Sequence, residues 1–171
     1  MKKDYMEVCM NSTRQRIIQV IMMKKEATSA EIGEELQDIP RATLYRHIKV
    51  LLDAGIITVV KEEIKGGPKE KTYAIASQKP YEDTNEEYNN MIQAALIGLQ
   101  GEFHRYFTGE NPDPQRDLLT VGSASLMMND AEMMEFLKAY GDLLQRYMPN
   151  KPTDGRKVRK LTFIISPNEQ A

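Results

Sequence analysis

The chain has 171 residues, of which 28% are charged and 41% apolar, a composition typical of a folded, water-soluble protein. It contains no apolar run of membrane-spanning length, and its N-terminal sequence lacks the continuous apolar stretch of a signal peptide. The formal net charge of −2 gives no indication of a nucleic-acid partner, and we expect a cytoplasmic protein.

Three amphipathic helices are predicted in the first half of the chain. The first covers Arg14–Lys25, where isoleucines recur at helical spacing. The second begins at Thr28, which forms a capping-box pattern with Glu31, and it ends before Pro40. The third runs from about residue 41 to residue 54. A short turn therefore separates the second and third helices.

The third helix has an apolar side and a side rich in hydrogen-bond donors. Leucine and isoleucine form its inner stripe. We interpret the other side as a surface for the major groove of DNA, since that groove admits one α-helix. The candidate DNA-contacting residues are Arg41, Thr43, Tyr45 and Arg46 for the bases and Lys49 for the phosphate backbone. The alternative is a solvated surface helix. His47 is expected to pack against the neighbouring helix.

A hairpin is predicted directly after the third helix. Gly55 follows the helix as a residue suited to end it. Two runs rich in β-branched residues then flank the turn at 66–68, Gly-Gly-Pro. Lysines near the tip could contact phosphates, and the candidates are Lys65, Lys69 and Lys71. Alternatively they form a charged edge that prevents strand aggregation.

A domain boundary is predicted near residue 80, where the sequence becomes polar. Residues 1–80 carry 14 basic and 11 acidic side chains, whereas residues 81–171 carry 9 and 14. We expect an N-terminal winged helix-turn-helix domain at 1–80 and a C-terminal domain at 81–171. The overall class is mostly α with a small β component, that is, α+β.

The C-terminal domain is predicted to have the order α-β-α-β. A helix at 84–107 is followed by a strand at 117–128, a helix at 129–148 that begins with a capping-box pattern of Asn129 and Glu132, and a strand at 157–166. We expect the apolar stripe of helix 84–107 to form a homodimer. A second role is sensing of a small-molecule effector, and the candidate ligand-binding residues are Met127, Met133, Met134 and Tyr140. The alternative is an ordinary methionine-rich core.

The segment from Thr28 to Glu62 resembles the arsenical-resistance-regulator (ArsR-type) winged-helix family. The shared features are Glu31-Ile32, Thr43, the run Arg46-His47-Ile48-Lys49-Val50-Leu51 and Ala54-Gly55-Ile56. The resemblance covers roughly residues 11–76 and implies a homodimer that binds a partly palindromic operator. The Thr-Leu-Tyr triplet and the glycine-rich hairpin also resemble the PadR-type regulators. The cysteine pairs and histidine–carboxylate sets of metal-sensing members are missing, so metal sensing is not expected.

Together these features predict a DNA-binding transcriptional regulator, specifically a repressor that binds double-stranded DNA as a homodimer. The alternative is a winged-helix module that binds another protein without contacting DNA. We expect no catalytic site, cofactor or metal, because the chain has one cysteine, two histidines, no nucleophile elbow and no phosphate-binding glycine loop.

Overall fold

The computed structural model describes residues 5–64, 69–77 and 84–166. These residues form six helices and three strands. The helices are α1 Tyr5–Met10, α2 Ser12–Lys24, α3 Ser29–Glu35, α4 Arg41–Asp53, α5 Asn85–Phe107 and α6 Asp130–Tyr147. The strands are β1 Glu26–Thr28, β2 Ile57–Ile64 and β3 Lys69–Ile75. The predicted mixed class and the winged-helix order of the first half are confirmed.

The three strands form one antiparallel sheet in the order β1-β3-β2. Ile57 pairs with Ile75, and Ala27 pairs with Tyr73. A bulge between Val59 and Lys61 interrupts the ladder of β2 and β3. The sequence predicted β2 and β3 but missed β1, which has only three residues and is too short to show an alternating pattern. The predicted turn at 66–68 lies outside the described residues.

Local sequence signals fix several element boundaries as predicted. Thr28 caps α3: its hydroxyl accepts from the backbone N–H of Glu31, and the Glu31 carboxylate accepts in return from the N–H of Thr28. Asn129 and Glu132 form the same reciprocal box at the start of α6. Gly55 has φ of 69°, a conformation that favours glycine. These short-range contacts need no tertiary structure, which is why sequence alone predicts them.

The hydrophobic core lies in the N-terminal half. Among the described residues, every buried apolar side chain falls between positions 8 and 73, and α5 and α6 contain none. The largest fully buried side chains are Ile17, Ile21, Ile32, Leu44, Ile48, Leu51 and Ile57. Helices α2, α3 and α4 therefore pack with the sheet around one centre.

The two strands predicted in the C-terminal half are not present, so the α-β-α-β order was wrong for the single chain. Residues 119–129 and 156–166 form neither helix nor strand. One hydrogen bond links the two regions, since the Arg159 guanidinium donates to the Asp117 carbonyl. A strand needs a ladder of backbone hydrogen bonds, and neither segment has a strand partner in the described part of this chain.

Two lysines connect the C-terminal half to the N-terminal half. Lys160 donates to the backbone oxygen of Met10, at 2.7 Å, and to the Glu102 carboxylate of α5, at 2.6 Å. Lys151 lies 3.0 Å from the carboxylate of Glu35 at the end of α3. Helix α5 also packs against α1. The predicted domain boundary itself lies outside the described residues.

Candidate nucleic-acid interface

Helix α4 is held to the core by one side only. Leu44, Ile48 and Leu51 have exposed fractions of 1%, 2% and 0%. Their spacing of four and three residues places them on one face of an α-helix. A truncation at such a site costs about 2–5 kcal/mol of stability. These three side chains therefore fix the orientation in which the rest of α4 meets solvent.

The solvent-exposed surface of α4 presents most of the predicted DNA-contacting residues. Arg41, Tyr45 and Lys49 are exposed at spacings of four residues, which makes them one stripe. Arg46 is exposed next to this stripe, whereas Thr43 is half-buried at its margin. The structure thus brings four of the five predicted residues onto one open face and places the fifth at the edge.

The cationic side chains of this face have no acidic partner in the part of the chain that the structure describes. Among the described residues, no ion pair involves Arg41, Arg46 or Lys49. Their donors are therefore available to an external acceptor. Arginine can donate two hydrogen bonds to one guanine, and lysine acts on phosphate as a point charge. This pattern of unpaired donors on a rigid helix suits an anionic ligand.

The N-terminus of α4 is also open. Pro40 precedes the helix, no side chain caps it, and its first turn contains no acidic residue. By contrast, side-chain caps occupy the N-termini of four other helices, namely α2, α3, α5 and α6. The first N–H groups of a helix lack intrahelical partners and attract phosphate. The N-terminal turn of α4 can therefore add backbone donors to those of its side chains.

Tyr45 is linked to the preceding helix. The Ser29 hydroxyl at the start of α3 lies 3.5 Å from the Tyr45 hydroxyl. At this distance the hydrogen bond is weak, and Tyr45 remains exposed. The contact nevertheless places Ser29 next to the stripe of α4. Nothing in the sequence indicated a role for Ser29, because a serine at the first position of a helix is ordinary.

The lysines of the hairpin differ from those of α4, because they are paired. Lys69 and Lys71 lie 3.6 and 3.2 Å from the Glu62 carboxylate, and Lys61 lies 2.8 Å from that of Glu63. Lys71 lowers the pKa of Glu62, and Glu63 raises the pKa of Lys61. The positive potential of the hairpin is therefore largely neutralised. The remaining hairpin candidate, Lys65, lies outside the described residues.

His47 is half-buried between the exposed face and the core. Burial is the largest cause of its lowered pKa, and the nearby charges of Arg14 and Arg46 add to the effect. Its Nδ1 atom is buried and has no hydrogen-bond partner among the described residues. A neutral imidazole is therefore favoured, which agrees with the predicted packing role of this residue.

The candidate ligand-binding residues do not converge on one enclosed site. Met127 is fully exposed and Met134 is exposed by two thirds, whereas Met133 and Tyr140 are half-buried. The ring of Tyr140 lies 4.7 Å from that of Phe163. Tyr140 thus packs against the segment 156–166 rather than lining a cavity with the exposed methionines.

Two further observations concern metals and membranes. Across residues 5–64, 69–77 and 84–166, no three His, Cys, Asp or Glu side chains lie close enough together to hold a metal ion. None of the helices in this part of the chain is long and apolar enough to cross a membrane.

Comparison with known proteins adds one finding. A search of curated proteins gave no match. Residues 10–60, from the end of α1 to the middle of β2, match the model of a family described as "Helix-turn-helix domain". The matched region contains α3, the turn at 36–40 and α4, which are the elements that form the exposed face. The N-terminal part of this chain is therefore a helix-turn-helix domain of the kind that suggests a DNA-binding regulator.

Proposed function

We propose that this protein is a transcriptional regulator that binds double-stranded DNA as a homodimer and acts as a repressor. The observation that carries the proposal is the exposed face of α4. It combines Arg41, Arg46 and Lys49, which have no ion-pair partner among the described residues, with a buried stripe that fixes the helix to the core. An exposed face of this kind matches the requirement for a helix that enters the major groove.

The proposed division of roles follows the position of each residue along α4. Arg41, Tyr45 and Arg46 lie in the first two turns, where recognition helices contact base edges. Thr43 contributes at the margin of that contact. Lys49 lies one turn later and binds phosphate, as do the first backbone N–H groups of the helix.

The proposed homodimer uses the exposed stripe of α5. Ile92, Leu96 and Phe107 are exposed and share one side of this helix. Two copies related by a two-fold axis would present two α4 helices to half-sites about 34 Å apart. The resemblance of residues 11–76 to the ArsR-type family supports this arrangement.

A salt titration of DNA binding tests the proposal most directly. Binding sites are first selected from random duplex DNA, and the affinity of the wild-type protein is then measured at several salt concentrations. Each phosphate contact should add about 0.9 to the negative slope of log affinity against log salt. Failure to select any duplex, even at low salt, would contradict the proposal.

The alternative function is a protein-binding module, and the exposed apolar stripe of α5 favours it. Such a module would dock a partner on Ile92 and Leu96, and it would leave DNA unprotected from nuclease digestion. A footprinting experiment with the selected duplex separates the two functions, since only the regulator protects a defined stretch of DNA.

A further inference from the structure

The chain as a whole exposes far more surface than a compact monomer of its size. The accessible area of the chain is 13441 Å² for a mass of 19.6 kDa. A compact monomer of that mass exposes about 8,600 Å². The excess of roughly 4,800 Å² is larger than the area that one subunit commits to an obligate dimer interface, about 1,000–2,500 Å².

The exposed apolar side chains are concentrated in one part of the molecule. Among the described residues, 19 of the 25 large exposed apolar side chains lie at 84–166. Ten of them belong to the neighbourhood of the two C-terminal segments: Leu118, Leu119, Val121, Leu126, Met127, Val158, Leu161, Phe163, Ile164 and Ile165. The segments that were predicted as strands are therefore the segments whose apolar side chains are not covered by other described residues.

Contacts with the rest of the described chain already hold parts of these segments in place. The Arg159 guanidinium donates to the Asp117 carbonyl, which links the second segment to the residue that precedes the first. Phe163 lies against α6, with its ring 4.7 Å from Tyr140 and 6.0 Å from Phe136. Even with this contact, Phe163 remains exposed by nearly half. The second segment and α6 thus form one layer of a hydrophobic core. Among the described residues, no second layer covers the other side of this segment.

The chemistry of this surface limits what can cover it. Residues 118–128 and 161–166 contain no charged side chain. DNA or a strongly charged partner would find no counter-charge there, whereas the centres of homodimer interfaces are apolar and depleted of charge. A second copy of the same chain presents the same uncharged surface, and two such surfaces meet in a two-fold dimer.

We propose that a second copy of this chain covers residues 118–128 and 161–165, and that both segments become strands of a shared C-terminal sheet on dimerisation. The inference locates an interface of the homodimer named under the proposed function and rests on that proposal. It goes beyond the α5 contact, since the excess area accommodates both. In such a sheet the backbone N–H and C=O groups of the two segments form inter-strand hydrogen bonds, which the described residues of the single chain do not supply.

The test uses full-length variants and measures mass in solution by light scattering or sedimentation. Leu161→Asp and Ile164→Asp change exposed side chains of the segment, so the N-terminal core should remain folded. Met22→Asp, an equally exposed apolar position on α2, is the matched control. We expect twice 19.6 kDa for the wild type and the control, and a dimer dissociation constant raised at least about 100-fold in both segment variants.

Hydrogen exchange provides the second measurement. Backbone amides at 161–165 should exchange slowly in the wild-type dimer and rapidly in the Leu161→Asp variant. A wild-type mass of one chain, with or without a co-purified apolar molecule, would overturn the inference, as would dimers of unchanged affinity in both segment variants. Binding of a duplex that contains one half-site is measured separately for the wild type and for the monomeric variant. If neither protein binds this duplex, the DNA-binding proposal is rejected instead.

Discussion

Arg16 of α2 and Asp38 form a two-point ion pair, with Nη1–Oδ2 and Nη2–Oδ1 distances of 2.6 and 2.7 Å. Asp38 lies in the turn between α3 and α4. The pair therefore links α2 to the turn that sets the angle between the two helices of the helix-turn-helix domain. Parallel donation from a guanidinium to a carboxylate is also the ion-pair geometry with the strongest directional preference.

Replacement of Asp38 by Asn should lower the free energy of unfolding by about 0.2–1 kcal/mol at neutral pH, because the pair is partly exposed. Arg16 lowers the pKa of Asp38 below 3.8. The stabilisation is therefore present above pH 3.8 and is lost as the pH falls through the folded-state pKa. Urea unfolding at several pH values measures it, with the exposed Asp142→Asn as control. Equal stability of wild type and Asp38→Asn at pH 7 would contradict this prediction.

Arg46→Ala should weaken binding to the selected duplex by about 1–3 kcal/mol and relax the preference at one base position. The reason is that Arg46 is exposed on α4 and has no ion-pair partner among the described residues. Lys138→Ala removes an exposed charge from α6 and should leave affinity nearly unchanged. Competition binding with duplexes altered at single positions measures both the loss of affinity and the change in base preference. An unchanged affinity in Arg46→Ala would remove this residue from the interface.

Glu62→Gln tests whether the hairpin contacts DNA. The change releases Lys69 and Lys71 from their shared carboxylate. If the hairpin lies on the phosphate backbone, affinity should rise several-fold at low salt and the salt dependence should steepen. Glu110→Gln changes the net charge equally at an exposed loop position and serves as the control. The same small increase in both variants would show that only net charge matters and that the hairpin lies away from DNA.

His47 should make stability depend on pH. Because its folded-state pKa lies below 6.5, the unfolded chain binds a proton between these two values that the folded chain does not bind. Stability therefore decreases as the pH falls through 6.5 and levels off below the folded-state pKa. His47→Gln should flatten this part of the profile, whereas His104→Gln, at an exposed position of α5, should retain it. Denaturant unfolding between pH 5 and 8 is the measurement, and identical profiles for wild type and His47→Gln would refute the assignment.

The sequence by itself determined the features that depend on neighbouring positions along the chain. These features are the capping boxes at Thr28 and Asn129, the end of α4 at Gly55 and the amphipathic character of α4. Each depends on residues within about two helical turns of one another. Such contacts form wherever the chain is helical. They were therefore predicted correctly, including the face on which Arg41 and Lys49 lie.

The tertiary structure alone decided the features that depend on distant segments. Strand register sets Glu62 directly opposite Lys71 and so neutralises the hairpin lysines, and the fold brings Arg16 to Asp38. The C-terminal strands were expected from their apolar pattern, but that pattern reports only a preference for burial. Whether residues 118–128 and 161–165 become strands depends on a partner for their backbone groups and on a second surface that covers their side chains. Neither can be read from local sequence.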